Sequence, residues 1–358
     1  MNKRKLLILF IITLVVIVTA AITAKLRAPQ VSLEKQVLFP DFDTHINQVH
    51  AITIQGNQKI ANLELKGKQW VVTNMDNYPA LFNRVRAALI GLSELAIVDK
   101  KTTNPDLYHE LGVEDPDTKG ADSVLFTVNE NSGKDTVKLI VGHKRQSASD
   151  KPGIYVRLAD SKQALLVEGK LDISADPVDW INRKLLNMDH SQIKQVTILS
   201  PDGKEFTIKK DKKEQTEFTA DNSDVNKESA AKIIISRIGT GLEEIRADGV
   251  MSTDNFTFPE NSFTTTYKTF DGMVVKVKLT QKDKKSYAHF AFSYEPDSTT
   301  KPAKPAANAN EPTPDALAAQ MNTALSGWVY QIPDFKFEAM TSTPESVKQL
   351  LLEHGKPE

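Results

Sequence analysis

The side chains able to do chemistry in this chain are scattered rather than grouped. Its seven histidines, His45, His50, His109, His143, His190, His289 and His354, include no His-Glu-x-x-His pairing. No two stand at the i, i+4 spacing that would aim both rings at one metal from a single helical face. Asp41, Asp43 and His45 come nearest to a ligand set, since alternate residues of an extended segment project to one side; the competing reading is a polar loop after Leu38-Phe39. Asp221-Asn222-Ser223-Asp224 has the look of a calcium loop but lacks its glycine and terminal glutamate, and reads better as a polar turn and helix N-cap. Asp172 with Asp176, or Glu243 with Glu244, could act as acid and base, but surface carboxylates are too common for such pairs to specify a reaction. There is no Gly-x-Ser-x-Gly elbow and no Gly-x-x-x-x-Gly-Lys phosphate loop. With no cysteine, thiolate catalysis, disulfides and cysteine metal sites are excluded. Residue chemistry therefore assigns no catalytic group, no metal ligand and no cofactor, and the expectation is a protein that is not an enzyme.

What remains is binding. Trp180 would suit a partner surface if exposed, because tryptophan is enriched at interface hot spots; core packing is the alternative for it, as for Trp70 and Trp328. Tyr155 and Arg157, two apart on one strand, could stack on and charge-pair with a ligand, or belong to a half-solvated sheet face. With 45 Lys and Arg against 46 Asp and Glu, the chain has no electrostatic footprint for nucleic acid.

The elements that must position these residues begin with Lys3-Arg4-Lys5 and the uncharged run from Leu6 to Ala24. That run is about nineteen residues, enough helix at 1.5 Å per residue to cross a bilayer. The basic residues before it favour a cytoplasmic N-terminus and an exported body. A cleaved signal peptide satisfies the same pattern, with small residues at Val18-Thr19-Ala20 or Ile22-Thr23-Ala24. The remaining ~330 residues exceed the size at which one core stops growing, which predicts two domains.

Self-similarity supports that division. Ile46-Asn47-Gln48-Val49, followed by strands to Ile54, Ile60 to Leu65 and Gln69 to Val72, reads like Ile193-Lys194-Gln195-Val196, followed by strands to Leu199, Glu205 to Ile208 and Thr216 to Thr219. Each meander precedes an amphipathic helix, through Leu81, Val85, Leu89 and Leu92 in one copy and Ala230, Ile234, Ile238 and Leu242 in the other. Glycines near both helix ends suit a close approach of helix to sheet. Strands then follow at Ser123–Val128, Thr136–Val141, Ile154–Leu158 and Ala164–Val167, and at Phe263–Thr269, Met273–Leu279, Tyr287–Tyr294 and Trp328–Ile332, with hairpin turns at Asn131-Ser132-Gly133 and Asp271-Gly272. Without strict strand–helix alternation, this predicts an α+β fold: an N-terminal transmembrane helix, then two tandem duplicated domains, each an antiparallel sheet with one main helix. The expected division is 1–27 for the basic flank and anchor, 28–37 for a linker, 38–175 for the first domain and 176–187 for a connecting helix capped by Asp176. The second domain is expected over 188–345 with a low-complexity insertion at 298–314, and a tail over 346–358.

Several strings together resemble a known family. Leu38-Phe39-Pro40, Gln69-Trp70-Val71-Val72, Tyr108-His109-Glu110-Leu111-Gly112-Val113 with Asp115-Pro116, Ile140-Val141-Gly142 and Gly153-Ile154-Tyr155-Val156-Arg157 are similar to the bacterial domain of unknown function numbered 4340. The second copy has no Tyr-x-x-Leu-Gly string. The resemblance implies a single-pass protein of the bacterial inner membrane, held through residues 6–24 with its body periplasmic. Because members are often encoded beside ABC-transporter components related to gliding-motility systems, it also implies an envelope accessory role with a membrane or envelope protein as partner. It supplies no functional residue. The expected function is a non-enzymatic protein-interaction module auxiliary to an ABC transporter; the alternatives are an envelope hydrolase and a glycan- or small-molecule-binding protein.

Overall fold

The computed structural model describes residues 36–130, 135–145, 153–221, 229–296 and 312–343. The apolar stretch 6–24, the turn Asn131-Ser132-Gly133, Asn222 to Asp224, most of the 298–314 insertion and the tail 346–358 lie outside them. Among the described residues no helix is long and apolar enough to cross a membrane.

Alternating apolar residues bounded by turns give two large sheets in which every pairing is antiparallel. The first contains β1 (Gln36–Val37), β2 (Val49–Gln55), β3 (Ile60–Lys66), β4 (Gln69–Val72), β5 (Tyr78–Pro79), β6 (Ala96–Lys100), β7 (Val124–Glu130), β8 (Asp135–Arg145), β9 (Gly153–Leu158) and β10 (Ala164–Glu168). Their spatial order is β1-β6-β10-β9-β8-β7-β2-β3-β4-β5. A two-stranded ribbon, β11 (Lys184–Leu186) with β15 (Ile245–Arg246), stands apart. The second sheet uses β12 (Ile193–Leu199), β13 (Glu205–Lys209), β14 (Thr219–Ala220), β16 (Gly249–Ser252), β17 (Phe263–Thr269), β18 (Met273–Lys282), β19 (Lys285–Tyr294) and β20 (Trp328–Ile332). Its order, β16-β20-β19-β18-β17-β12-β13-β14, repeats that of β6 through β4 strand for strand. The helices are α1 (Phe42–His45), α2 (Phe82–Ser93), α3 (Tyr108–Leu111), α4 (Ser229–Gly239), α5 (Pro314–Leu325) and α6 (Asp334–Thr341).

The register of the repeat differs from the one the sequence suggests. Val49, Ile52 and Ile54 are buried along β2, and Ile193, Val196 and Ile198 along β12. Both strands also carry an irregularity just after their first residue, between Val49 and Ala51 and between Ile193 and Gln195. Val49 is thus the counterpart of Ile193, and the recurring Ile-x-Gln-Val string aligns the copies three residues out of step. Burial, not string identity, sets the register, because a strand shifted by an odd number of residues turns its apolar face to solvent.

Both main helices bury the same pattern. Val85, Ala88, Leu89, Gly91, Leu92 and Leu95 in the first copy match Ile235, Ile238, Gly239, Gly241, Leu242 and Ile245 in the second. Gly91 and Gly241 correspond, and both allow close approach: a Cβ on Gly91 would lie 2.3 Å from Lys170 O, and one on Gly241 2.1 Å from Tyr267 Oη.

Strand β6, the edge strand β16 and helix α6 carry no clear sequence signal. β6 runs on from α2 with no glycine or proline between them and ends in Asp99-Lys100. The connecting helix expected over Pro177 to Leu186 is a single 3₁₀ turn, Pro177–Trp180, followed by extended chain. Asp176 does cap it, accepting from Val178 N at 3.1 Å. Its backbone is needed elsewhere: Trp180 O accepts from Leu81 N at 2.7 Å, Ile181 bridges to Ala80, and β11 pairs with β15. A helix would turn those groups inward.

This connector is part of a seam between the copies. Trp180 is fully buried, its Nε1 donating to Ser174 O at 2.8 Å and its ring lying under the Arg84 guanidinium. Tyr78, on the edge of the first sheet, meets Trp328 of the second edge-on, with centroids 4.8 Å apart, and Tyr330 at 6.2 Å. Asp76 accepts from Ser252 N at 2.8 Å. The buried apolar residues of both sheets accordingly form one continuous core.

Partial burial pushes the Asp176 carboxyl up, but hydrogen bonds from Lys59 and Val178 N bring it below its ordinary value. A depressed carboxylate contributes stability that is complete above its unfolded pKa of about 3.9 and lost as pH falls through the folded value. Asp176→Asn should therefore reduce stability at pH 7 and flatten the acid limb of a denaturation-versus-pH series. Tyr78→Ala removes a buried aromatic and should cost about 3 kcal/mol in urea denaturation. Gly241→Ala, which drives a methyl into Tyr267, should cost about 1–3 kcal/mol in the same measurement.

Candidate functional site

The repeat places an equivalent groove in each copy, between the edge of the meander and the main helix. In the first copy it has a volume of about 550 Å³ and an apolar lining of Ile46, Leu65, Trp70, Phe82, Leu89 and Ile90. In the second it holds about 410 Å³ and is lined by His190, Glu217, Phe218, Lys232, Ser236 and Thr240 among others. Strand pairing fixes the correspondence. Leu63 stands opposite Ile52 and Val72, as Ile208 stands opposite Val196 and Ala220. Trp70 therefore corresponds to Phe218 and Leu65 to Lys210. The shared helix burial pattern makes Lys232 the counterpart of Phe82, Ser236 of Arg86, Gly239 of Leu89 and Thr240 of Ile90. The 3₁₀ turns Ile46–Gln48 and His190–Gln192, each leading directly into a strand, pair Ile46 with His190. One geometry thus carries mainly apolar side chains, with Asp43, Asn47, Lys68 and Arg86, in one copy and mainly polar ones around Phe218 and Ile235 in the other.

A buried charge lies behind the Phe218 and His190 walls of the second groove. Lys210 is only 2 % exposed, donates to His190 O at 2.7 Å and sits 4.3 Å from the centroid of the Phe218 ring. Phe218 in turn leans over Gly239, where a Cβ would come within 2.3 Å of its ring. Burial pushes the Lys210 ammonium below its ordinary pKa, with Asp189 opposing the shift. Lys336, donating to Thr240 O at 3.3 Å, is pushed down for the same reason, against Glu243 and Glu244.

Glu243 Oε1 lies 2.8 Å from His190 Nδ1 and accepts from His190 N at 3.0 Å, which holds the imidazole by one nitrogen. With Asp189, they form a set whose ligand atoms lie close enough to share a metal ion, all within 4.8 Å. Two nearby ammonium groups, Lys210 acting on Asp189 and Lys336 on Glu243, oppose a divalent cation there. A hydrogen-bonded carboxylate–imidazole pair accounts for the geometry. In the sequence Glu243 pairs only with Glu244, whose backbone N–H is accepted by Asn187 Oδ1; its actual partner His190 lies 53 residues away in the chain.

Burial of Trp180 and Arg157 corrects the expectation that they line a partner surface, while Tyr155 stays half-buried. Trp180 has no exposed area and belongs to the seam. Arg157 is 5 % exposed, stacks 4.7 Å from the Tyr108 ring centroid, and donates to Val113 O at 2.9 Å, Ser161 O at 3.2 Å and Asp115 Oδ1 at 2.8 Å. Tyr155 is half-buried against the same small cluster around Tyr108 and Ile140. The strings that carry the family resemblance therefore meet: the Tyr108 helix, ended by Gly112 at φ 64°, is clamped on the sheet by Arg157. In the second copy, register places His289 where Arg157 stands, and Phe258 packs on it at 6.4 Å. The missing Tyr-x-x-Leu-Gly string is replaced by a different aromatic cover.

Asp41, Asp43 and His45 do not converge. The segment forms α1 rather than an extended strand, Asp41 takes a left-handed conformation before it, and His45 pairs with Glu130 at 3.6 Å.

This doubled antiparallel α+β architecture belongs to a family, described as domain of unknown function (DUF4340), which matches residues 70–268. The chain is a member of that family. The match starts on β4 of the first sheet and ends on β17 of the second, so it spans the seam instead of one copy. No curated protein and no solved structure matches the chain.

Lys210→Leu, which installs the residue found at the corresponding first-copy position, should keep stability at pH 7 or raise it by up to about 1 kcal/mol. A lysine with a depressed folded pKa holds fewer protons folded than unfolded. Wild-type stability therefore gains with pH from the folded value up to the ordinary lysine pKa of about 10.4, relative to the variant. Between pH 7 and 10 the denaturation midpoint of wild type should rise relative to that of Lys210→Leu.

Proposed function

We propose that this protein is a non-enzymatic interaction module of the bacterial envelope, anchored in the inner membrane through residues 6–24 with its body on the periplasmic side, and auxiliary to an ABC transporter. The observation that carries the reading is the pair of equivalent grooves, one apolar and one polar, held in fixed relation by a seam of buried aromatics. A duplicated scaffold whose copies keep a groove but exchange its lining is suited to gripping two features of a partner at once, and bivalent attachment gains affinity without new contacts. The uncharged stretch 6–24 supports a partner in the same membrane, and the transporter company that the sequence resemblance implies is consistent with one. That association is one of company rather than mechanism.

A second reading follows from the His190–Glu243 pair beside the second groove. A carboxylate that fixes one imidazole nitrogen leaves the other to act as a base toward a ligand bound near Thr216 and Ser236. This is the arrangement an envelope hydrolase or glycan-binding protein would use.

Crosslinking the full chain in its own membranes, followed by purification, separates the two. The accessory role predicts recovery of a transporter membrane subunit, retained in His190→Ala. Recovery of bulk lipoproteins alone, with turnover of envelope glycan that His190→Ala abolishes, would establish the second reading instead.

A further inference from the structure

We propose that the first-copy groove receives a partner's protein segment, one that buries a large apolar side chain between Trp70 and Phe82 and sets a carboxylate beside Arg86 and Lys68. This rests on the accessory reading and names the chemistry of its partner.

The second copy is an internal control for what the fold itself requires. At corresponding positions it carries His190 for Ile46, Lys210 for Leu65, Lys232 for Phe82 and Thr240 for Ile90, and its sheet and helix still assemble with the same order and burial pattern. Trp70, Val85 and Leu89 belong to the buried core, but an apolar side chain at the exposed Phe82 position is not a condition of folding. Phe82 is 59 % exposed and Leu81 40 % exposed in the first copy, a standing cost in contact with water that a covering segment removes.

The charges point to the covering group. Arg86 and Lys68 line the groove with Asp43 as the acidic residue among them, and neither cation has an ion-pair partner among the described residues. In the polar groove the counterparts of these cations are Ser236 and Thr216. In the first copy two cations flank a mainly apolar lining, while in the second the lining is mainly polar and its one lysine, Lys232, stands where Phe82 does, so a segment both apolar and acidic suits the first groove. At about 550 Å³ the groove is of the size that encloses a compact ligand or a few side chains.

The test places a photoreactive benzoylphenylalanine at Phe82, and in a separate protein at Lys232, in the full chain within its native membranes. Irradiation and peptide mapping should give adducts to apolar residues of a protein segment bearing Asp or Glu nearby, with yield at 82 about tenfold above that at 232. Arg86→Glu, an exposed change checked for an unaltered melting temperature, should lower that yield about tenfold. Adducts confined to lipid, to residues 25–35 of the same chain or to another copy would overturn the proposal, as would equal yields at the two positions or indifference to Arg86→Glu. If the transporter subunit is recovered while position 82 captures only lipid or its own chain, the groove inference fails and the accessory role stands. If position 82 captures an acidic segment of a protein unrelated to transport, the groove inference stands and the accessory role fails.

Discussion

The structure depends on burying aromatic rings where the two copies meet. Trp180 contributes no surface to solvent, its one polar atom is satisfied by Ser174 O, and its carbonyl anchors the start of α2 at Leu81. A buried tryptophan of this kind contributes about 3–5 kcal/mol by truncation. The whole margin of a folded domain is about 5–15 kcal/mol. Tyr78 extends the seam into the second sheet, where burial also drives the Tyr330 hydroxyl well above its ordinary pKa and keeps it neutral. The connector is extended and not helical because its backbone must serve both copies at once.

Divergence between the copies falls mostly on the groove linings and outer covers, with a few exchanges inside, such as Gly239 for Leu89 and Lys210 for Leu65. Strand order, the helix-to-sheet approach at Gly91 and Gly241, and the buried helix positions persist. The groove linings and the outer covers do not. Tyr108 with Arg157 covers one sheet, and Phe258 with His289 the other. Lys210 shows how far exchange can go: an ammonium occupies a leucine position because His190 O, the Phe218 face and Asp189 together offset part of its desolvation.

Much of the fold was legible in the sequence, and the reasons are local. Period-two alternation with Gly272 or Asn57 at a turn marks strands, and apolar residues three and four apart mark α2 and α4. The register of the repeat was not legible, because Ile-x-Gln-Val recurs three residues out of step with burial. β6 was hidden because it follows α2 directly. Arg157 resembles a surface cation in the sequence because the four groups that bury it, Tyr108, Val113, Asp115 and Ser161, come from a separate segment and a following turn. The grooves escaped for the same reason: Ile46, Leu65, Trp70 and Phe82 become neighbours only once the meander and helix are packed.

If the seam makes the two copies one body, the grooves keep a fixed separation and orientation toward a partner. Native-state hydrogen exchange of the full chain tests this most directly, by comparing amides of β2 and β7 with those of β12 and β17. The account predicts that the slowest amides of both sheets open with the same free energy and the same denaturant dependence, as parts of one cooperative unit. A second sheet that opens at distinctly lower free energy while the first remains protected would contradict it.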